Sequence, residues 1–290
     1  MLVFLISTPT LGREPAVIYK SQKGQTVELI PWRGTKVAVL TQSKRDPRVM
    51  KDLVQGLDRA YVVYQQITGS EPGPNADAML NGKGIVAEVP DVDTACGGAA
   101  CSYLGIFGSE IGTTYFDELY DGIRLNGEYN QAMFYEFGRT FWFYQDQLGN
   151  LETFVTGFAI ANRFISIDRS GLKGGRFGKL SYSNFKKSIV IDLLDGYLRD
   201  PNLNWRNTLL LDQAPPNENG WSAADLAGSM IYRIYRDCGF ARYKAFWRTL
   251  AKQPAAKTPE DTIRNFLGAA KIVTGRDYAF LFRDAALTRP

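Results

Sequence analysis

The sequence predicts an α+β protein. It places a mixed sheet with one long helix in the N-terminal part, a single helix at the centre, and a mostly α-helical C-terminal half. Three observations predict this. The β-branched apolar runs 26–30, 36–41 and 84–90 all fall in the first third of the chain. Between the second and third runs, Val49, Leu53, Leu57, Ala60, Tyr61, Tyr64 and Ile67 recur at helical spacing. Beyond residue 150 the apolar pattern is that of successive helices.

Residues 1–25 lack clear periodicity and contain Pro9, Gly12, Pro15 and Gly24, which reads as a loosely attached arm. The apolar run 2–6 within it is too short for a signal-peptide core, so it is either the remnant of a trimmed signal or an ordinary strand or chain end. Strands over 26–30 and 36–41 follow, joined through Pro31 and Gly34. Residues 43–46 offer N-cap groups, with Pro47 suited to the first helical position and Gly69 to the stop. The stretch 69–84 is rich in Gly, Pro, Asn and Asp and reads as a surface loop. A third strand at 84–90 precedes a turn between Cys96 and Cys101, and 102–107 reads as a fourth strand. A short helix or turn at 115–120 leads to the central helix at 131–144, closed by Gly149. Helices follow at 153–167, 185–198 and 223–250, the last broken at Gly239 or divided there into a pair. Thr258, Pro259, Glu260 and Asp261 form a clean start for one more. This division suggests an arm at 1–25, an α/β subdomain at 26–150 ending in the central helix, and a helical subdomain at 151–290.

The central helix carries the chemistry. Met133, Phe134, Phe137, Phe141 and Tyr144 are spaced for a buried face, yet Tyr135, Glu136 and Arg139 sit among them. A buried charge costs several kcal/mol unless it is paired. Tyr135-Glu136-Phe137-Gly138-Arg139 is similar to the H-E-x-x-H helix of zinc metallopeptidases. In that motif two His one turn apart bind zinc and the Glu between them is the general base. Here Glu136 keeps the base position, while Tyr135 and Arg139, four apart, stand at the two ligand positions. Val155-Thr156-Gly157-Phe158-Ala159 resembles the stretch that supplies the third ligand, a Glu, in the gluzincin branch. Thr156 stands in its place, seventeen residues beyond Arg139. The stretch 274–282 also resembles the close of many gluzincin catalytic regions. The resemblance implies a zincin-like fold whose three metal ligands are all replaced.

Composition points the same way. The chain contains no His. A phenol is a poor ligand near neutral pH and a guanidinium repels a divalent cation, so the expectation is a pseudo-metallopeptidase with no zinc and no other cofactor. Two roles remain for the vestigial cleft. It binds a peptide, glycan or other anionic ligand through Tyr135, Arg139 and Thr156, or it is purely structural, with Arg139 neutralising Glu136 and with Tyr135 and Thr156 filling the old metal pocket. The alternative class is a hydrolase using Glu136 without metal, which pairing with Arg139 would disfavour by lowering the Glu136 pKa.

At 290 residues, 45% of them hydrophobic and 13% aromatic, the chain can build a substantial core. The net charge of +4 is not that of a dedicated nucleic-acid binder. No apolar run approaches the roughly 18–20 residues of a membrane span. Lys173, Arg176, Lys179, Lys186 and Lys187 lie in a Gly-rich stretch without acids, which is either a site for an anionic partner or a solvated loop. The helical stretch 223–250 interleaves Arg and Lys with Tyr232, Tyr235, Tyr243, Phe246 and Trp247, suited either to stacking on sugars or bases or to an amphipathic helix with its aromatics inward. Cys96 and Cys101 are separated by four small residues that let the chain double back into a disulfide, and Cys238 reads as a buried thiol. A disulfide favours an exported or extracellular protein over a cytoplasmic one.

Overall fold

The computed structural model describes residues 15–97 and 99–283; the apolar run 2–6 lies outside them. Among the described residues seven strands form one mixed sheet: β1 (Val17–Lys20), β2 (Thr26–Arg33), β3 (Val37–Thr41), β4 (Met79–Leu80), β5 (Lys83–Val89), β6 (Ala100–Ser102) and β7 (Ser109–Gly112). Their order is β1-β2-β3-β5-β7-β6, with β4 paired to β5. β3, β5 and β7 run parallel, while β1, β2 and β6 pair antiparallel with their neighbours. All five residues of β3 are buried, as expected of a parallel strand covered on both faces.

The helices are α1 (Pro47–Thr68), α2 (Thr113–Asn126), α3 (Ala132–Thr140), α4 (Gln145–Leu148), α5 (Thr153–Arg169), α6 (Tyr182–Lys187), α7 (Leu194–Arg199), α8 (Ala223–Leu250) and α9 (Pro259–Thr274). A π-helical stretch, Ser188–Leu193, joins α6 to α7 without a break. The α1 boundaries follow from local chemistry. The Asp46 side chain accepts from the Arg48 N–H, Pro47 opens the helix, and Gly69 closes it in a left-handed conformation. Thr258 and Asp261 close a reciprocal capping box at the start of α9. Gly239, at φ 72°, breaks α8 as its sequence suggests.

Several elements differ from expectation. Val17–Lys20, inside the stretch read as a loose arm, pairs with β2, and the Tyr19 hydroxyl donates to Glu110 at 2.9 Å. Of the strand read at 102–107 only Ser102 lies in β6, and the rest forms a turn through Gly105 and on to Gly108, both at positive φ, that leads to β7. The short helix at 115–120 extends over 14 residues as α2. The central helix stops at Thr140 instead of Tyr144. Successive residues on a helix radiate about 100° apart, so only part of a four-aromatic run can face one core. Unwound, the chain buries Phe141, Trp142 and Tyr144 to 3% exposure or less.

α3 and α5 lie against each other at Gly138. A Cβ there would stand 2.4 Å from the Ala159 Cα, so only glycine permits the approach. One core packs α1, α3, α5, α8 and α9 against one face of the sheet. Tyr243, Phe246 and Trp247 are fully buried within it, which makes α8 the amphipathic helix of the second reading.

Candidate functional site

The close approach at Gly138 sets the site. Arg139, next along α3, meets Thr156 on α5, donating from Nη1 to Oγ1 at 3.2 Å. The resemblance thus pointed to two positions that do come together. Tyr135 lies one turn back on α3, half-buried, and Glu136 between them is 5% exposed.

The expected Glu136–Arg139 ion pair does not form. Among the described residues no carboxylate oxygen comes within 4.0 Å of the Arg139 guanidinium. Burial dominates at Glu136 and pushes its carboxyl up to about 7; a hydrogen bond with Ser102 and the field of Arg139 offset this only in part. This corrects the expectation that Arg139 holds the Glu136 pKa down. The two side chains leave α3 in directions set by a helix turn, and Arg139 is drawn to α5 instead. Burial raises the Tyr135 phenol above its ordinary range, against the nearby Arg139 charge.

Two contributors were not singled out in the sequence. Ser102, at the end of β6, serves Glu136 and shares a 2.6 Å hydrogen bond with Ser109. Arg163 lies two turns beyond Thr156 on α5. It is 8% exposed, donates to Gln131 at 2.7 Å and approaches Asp225 at 3.9 Å. Its guanidinium lies over the rings of Tyr135, Phe164 and Phe185 at 5.9, 4.7 and 4.8 Å. Burial lowers its pKa to about 10, which leaves it charged at neutral pH. The seven-residue step from Thr156 was the available signal.

On the far side of Thr156 a cavity of about 430 Å³ opens at the start of α5. Its walls include Asn150, Glu152, Thr153, Thr156, Leu209 and Asp212. Thr153, on its wall and 5% exposed, has a buried hydroxyl with no hydrogen-bond partner among the described residues.

The residues at the three ligand positions do not fit zinc. One is a phenol pushed further toward its protonated form. One is a guanidinium. The third is a hydroxyl already accepting from that guanidinium. Among the described residues, no group of three or more His, Cys, Asp or Glu side chains is arranged to hold a metal ion.

Cys96 and Cys101 form a disulfide that precedes Ser102 directly. Cys238 is half-buried, not fully buried as its helical setting suggested, because it lies beside the break at Gly239. The basic stretch after α5 is largely spent on local contacts. Lys173 pairs with Glu128 at 3.1 Å, Lys186 with Asp168 at 2.8 Å, and Lys187 with Asp192. Among the described residues, no helix is long and apolar enough to cross a membrane.

No family model matches the chain. No curated protein matches it either. Solved structures do. A functionally unknown conserved protein from Bacillus anthracis str. Ames overlaps with a TM-score of 0.54 at 10% identity, covering 89% of this chain and 50% of that one. A mutant of a functionally unknown conserved protein from the same organism overlaps at 0.57 and 11% identity, with the same coverage. The chain therefore spans about half the length of these structures. Identity this low shows a shared fold and nothing more. Two M1 zinc metallopeptidase mutants also overlap, one a two-domain protein bound to L-tryptophan and one from Deinococcus radiodurans. Their TM-score is 0.42 each, at 14% and 16% identity, covering 96% and 95% of this chain and 53% and 55% of theirs. An overlap that loose carries no argument about this chain.

Proposed function

We propose that this chain is a metallopeptidase-like protein without zinc catalysis, and that the cleft between α3 and α5 binds a ligand through Arg139. One observation carries the reading. Arg139 is half-buried where the two helices meet, it is anchored by a neutral hydroxyl, and among the described residues it has no carboxylate within 4.0 Å. A guanidinium so placed keeps N–H donors for a carboxylate or sulfate, which it can take bidentately. The cavity beyond Thr156 offers room for the rest of a peptide, glycan or small carboxylate. The purely structural role is weakened, because it requires Arg139 to neutralise Glu136. The Cys96–Cys101 disulfide favours an oxidising, exported setting.

Thermal-shift screening against peptides, glycans and small carboxylates tests this. Hits that vanish in Arg139→Ala support it. Hits that survive in that variant, or no hits at all, overturn it. Elemental analysis of purified protein tests the absence of zinc, and about one zinc per chain would defeat the proposal.

One observation favours a second reading. A carboxyl brought to about 7 by burial is suited to act as general acid or base near neutral pH. Peptide or ester turnover in metal-free buffer, abolished by Glu136→Gln, would establish a hydrolase in place of a binding protein.

A further inference from the structure

A second cavity, of about 500 Å³, shares no lining residue with the one at the start of α5. It is framed by the turn between β2 and β3, by the middle of α1 and by the C-terminal end of α5. Val62 and Val63 supply its apolar wall, and Val62 is 39% exposed although it is a large aliphatic residue on a well-packed helix. Lys36, Arg59 and Arg169 line it against one acid, Asp58.

That acid is already engaged. The two oxygens of Asp58 accept the backbone N–H groups of Thr35, Lys36 and Val37 at 2.5, 2.8 and 3.0 Å. A Cβ at Gly34 would stand 2.4 Å from the same carboxylate, so the turn is moulded onto Asp58. Three N–H donors take up much of the field of a carboxylate. Lys36 is paired with Glu71 at 2.7 Å. The two arginines are not paired in this way. Among the described residues neither Arg59 nor Arg169 has a carboxylate within 4.0 Å, and Arg169 is held by lying over the Phe240 ring at 4.5 Å. The carbonyl end of α5 opposes an anion here only weakly, because Arg169 itself occupies that last turn. Ser170, also on the cavity wall, has a buried hydroxyl with no hydrogen-bond partner among the described residues.

We propose that this cavity is a binding site for a small soluble amphipathic anion, with its phosphate, sulfate or carboxylate between Arg59 and Arg169 and its apolar body on Val62 and Val63. The inference is independent of the Arg139 cleft. Guanidinium groups suit oxyanions by geometry as well as charge, and an exposed apolar surface beside them adds affinity for a body that free phosphate lacks.

Calorimetric titration of the full chain with 1-naphthyl phosphate, inorganic phosphate and 1-naphthol tests it. The expected result is saturable binding of 1-naphthyl phosphate, with both fragments weaker. Arg59→Gln and Arg169→Gln should each weaken it by about tenfold, in keeping with the loss of a charge-assisted contact. Val62→Asn should weaken 1-naphthyl phosphate and leave inorganic phosphate unchanged. Wild-type affinity in Arg59→Gln, or no binding of 1-naphthyl phosphate at all, overturns the proposal. So does arginine-dependent sedimentation with anionic phospholipid vesicles in the absence of soluble binding, which would assign the arginines to a lipid surface.

Discussion

Glu88 and Glu136 are both nearly sealed from water, at 1% and 5% exposure, and each has an arginine in its neighbourhood. On the sheet side the pair is closed. Arg45 reaches Glu88 at 2.9 Å and continues to Asp117 at 2.7 Å, with its guanidinium over the rings of Phe116 and Tyr120. Where α3 meets α5 the pair stays open. Glu136 lies by Ser102, and Arg139 turns to the neutral Thr156. The closed cluster looks like structure, since every charge has a partner. The open one leaves a half-buried guanidinium available to something outside the chain and a buried carboxyl without an ionic partner, an arrangement that stability alone does not favour.

The strongest test of the contrast is Arg45→Ala. It strands Glu88 and should lower unfolding stability by about 3–5 kcal/mol in urea titrations. A loss below about 1 kcal/mol would erase the distinction.

Glu136→Gln should act in the opposite direction. The folded-state pKa is raised to about 7, so the ionised form is penalised in the native protein. Stability from this group is fully present below the ordinary carboxyl value of 4.5 and is lost as pH rises through about 7. The Gln variant should therefore match the parent near pH 4 and exceed it by about 3 kcal/mol at pH 8. Parallel stability profiles for the two proteins would show that Glu136 is paired after all.

Cys96→Ser with Cys101→Ser removes a short closed loop and should cost about 2 kcal/mol. Thiol labelling of the denatured, unreduced parent should find one reactive group, Cys238. Three reactive thiols would place the chain in a reducing compartment and remove the argument for export.

The smallest expected effect is that of Arg139→Ala, within about 1 kcal/mol, because no buried carboxylate loses a partner at ion-pair distance. A loss of about 3–5 kcal/mol would return Arg139 to the structural role and make the two clusters alike.

Much of the fold was legible locally. Asp46, Pro47 and Gly69 mark α1, and Thr258 with Asp261 marks α9, because caps are satisfied by residues a few positions away. The strands β2, β3 and β5 followed from β-branched runs of ordinary length. The early end of α3 was not legible, since apolar spacing cannot tell a helical aromatic run from an unwound one that buries three of its four rings. β1 was missed for a related reason. Its pairing with β2 and the anchoring of Tyr19 on Glu110 are contacts across long sequence separations.

The candidate site divides in the same way. The sequence by itself determined which side chains stand on α3 and α5, that no histidine is available to them, and that Gly138 lies beside Arg139. Only the tertiary structure decided where the charges went. A three-residue step on a helix permits an ion pair between Glu136 and Arg139 but does not require one. The crossing of α3 and α5 at Gly138 and Ala159 brought Thr156 within reach of Arg139, and the end of β6 placed Ser102 near Glu136. Those partners come from elements far apart in the chain, and packing, not spacing, selected them.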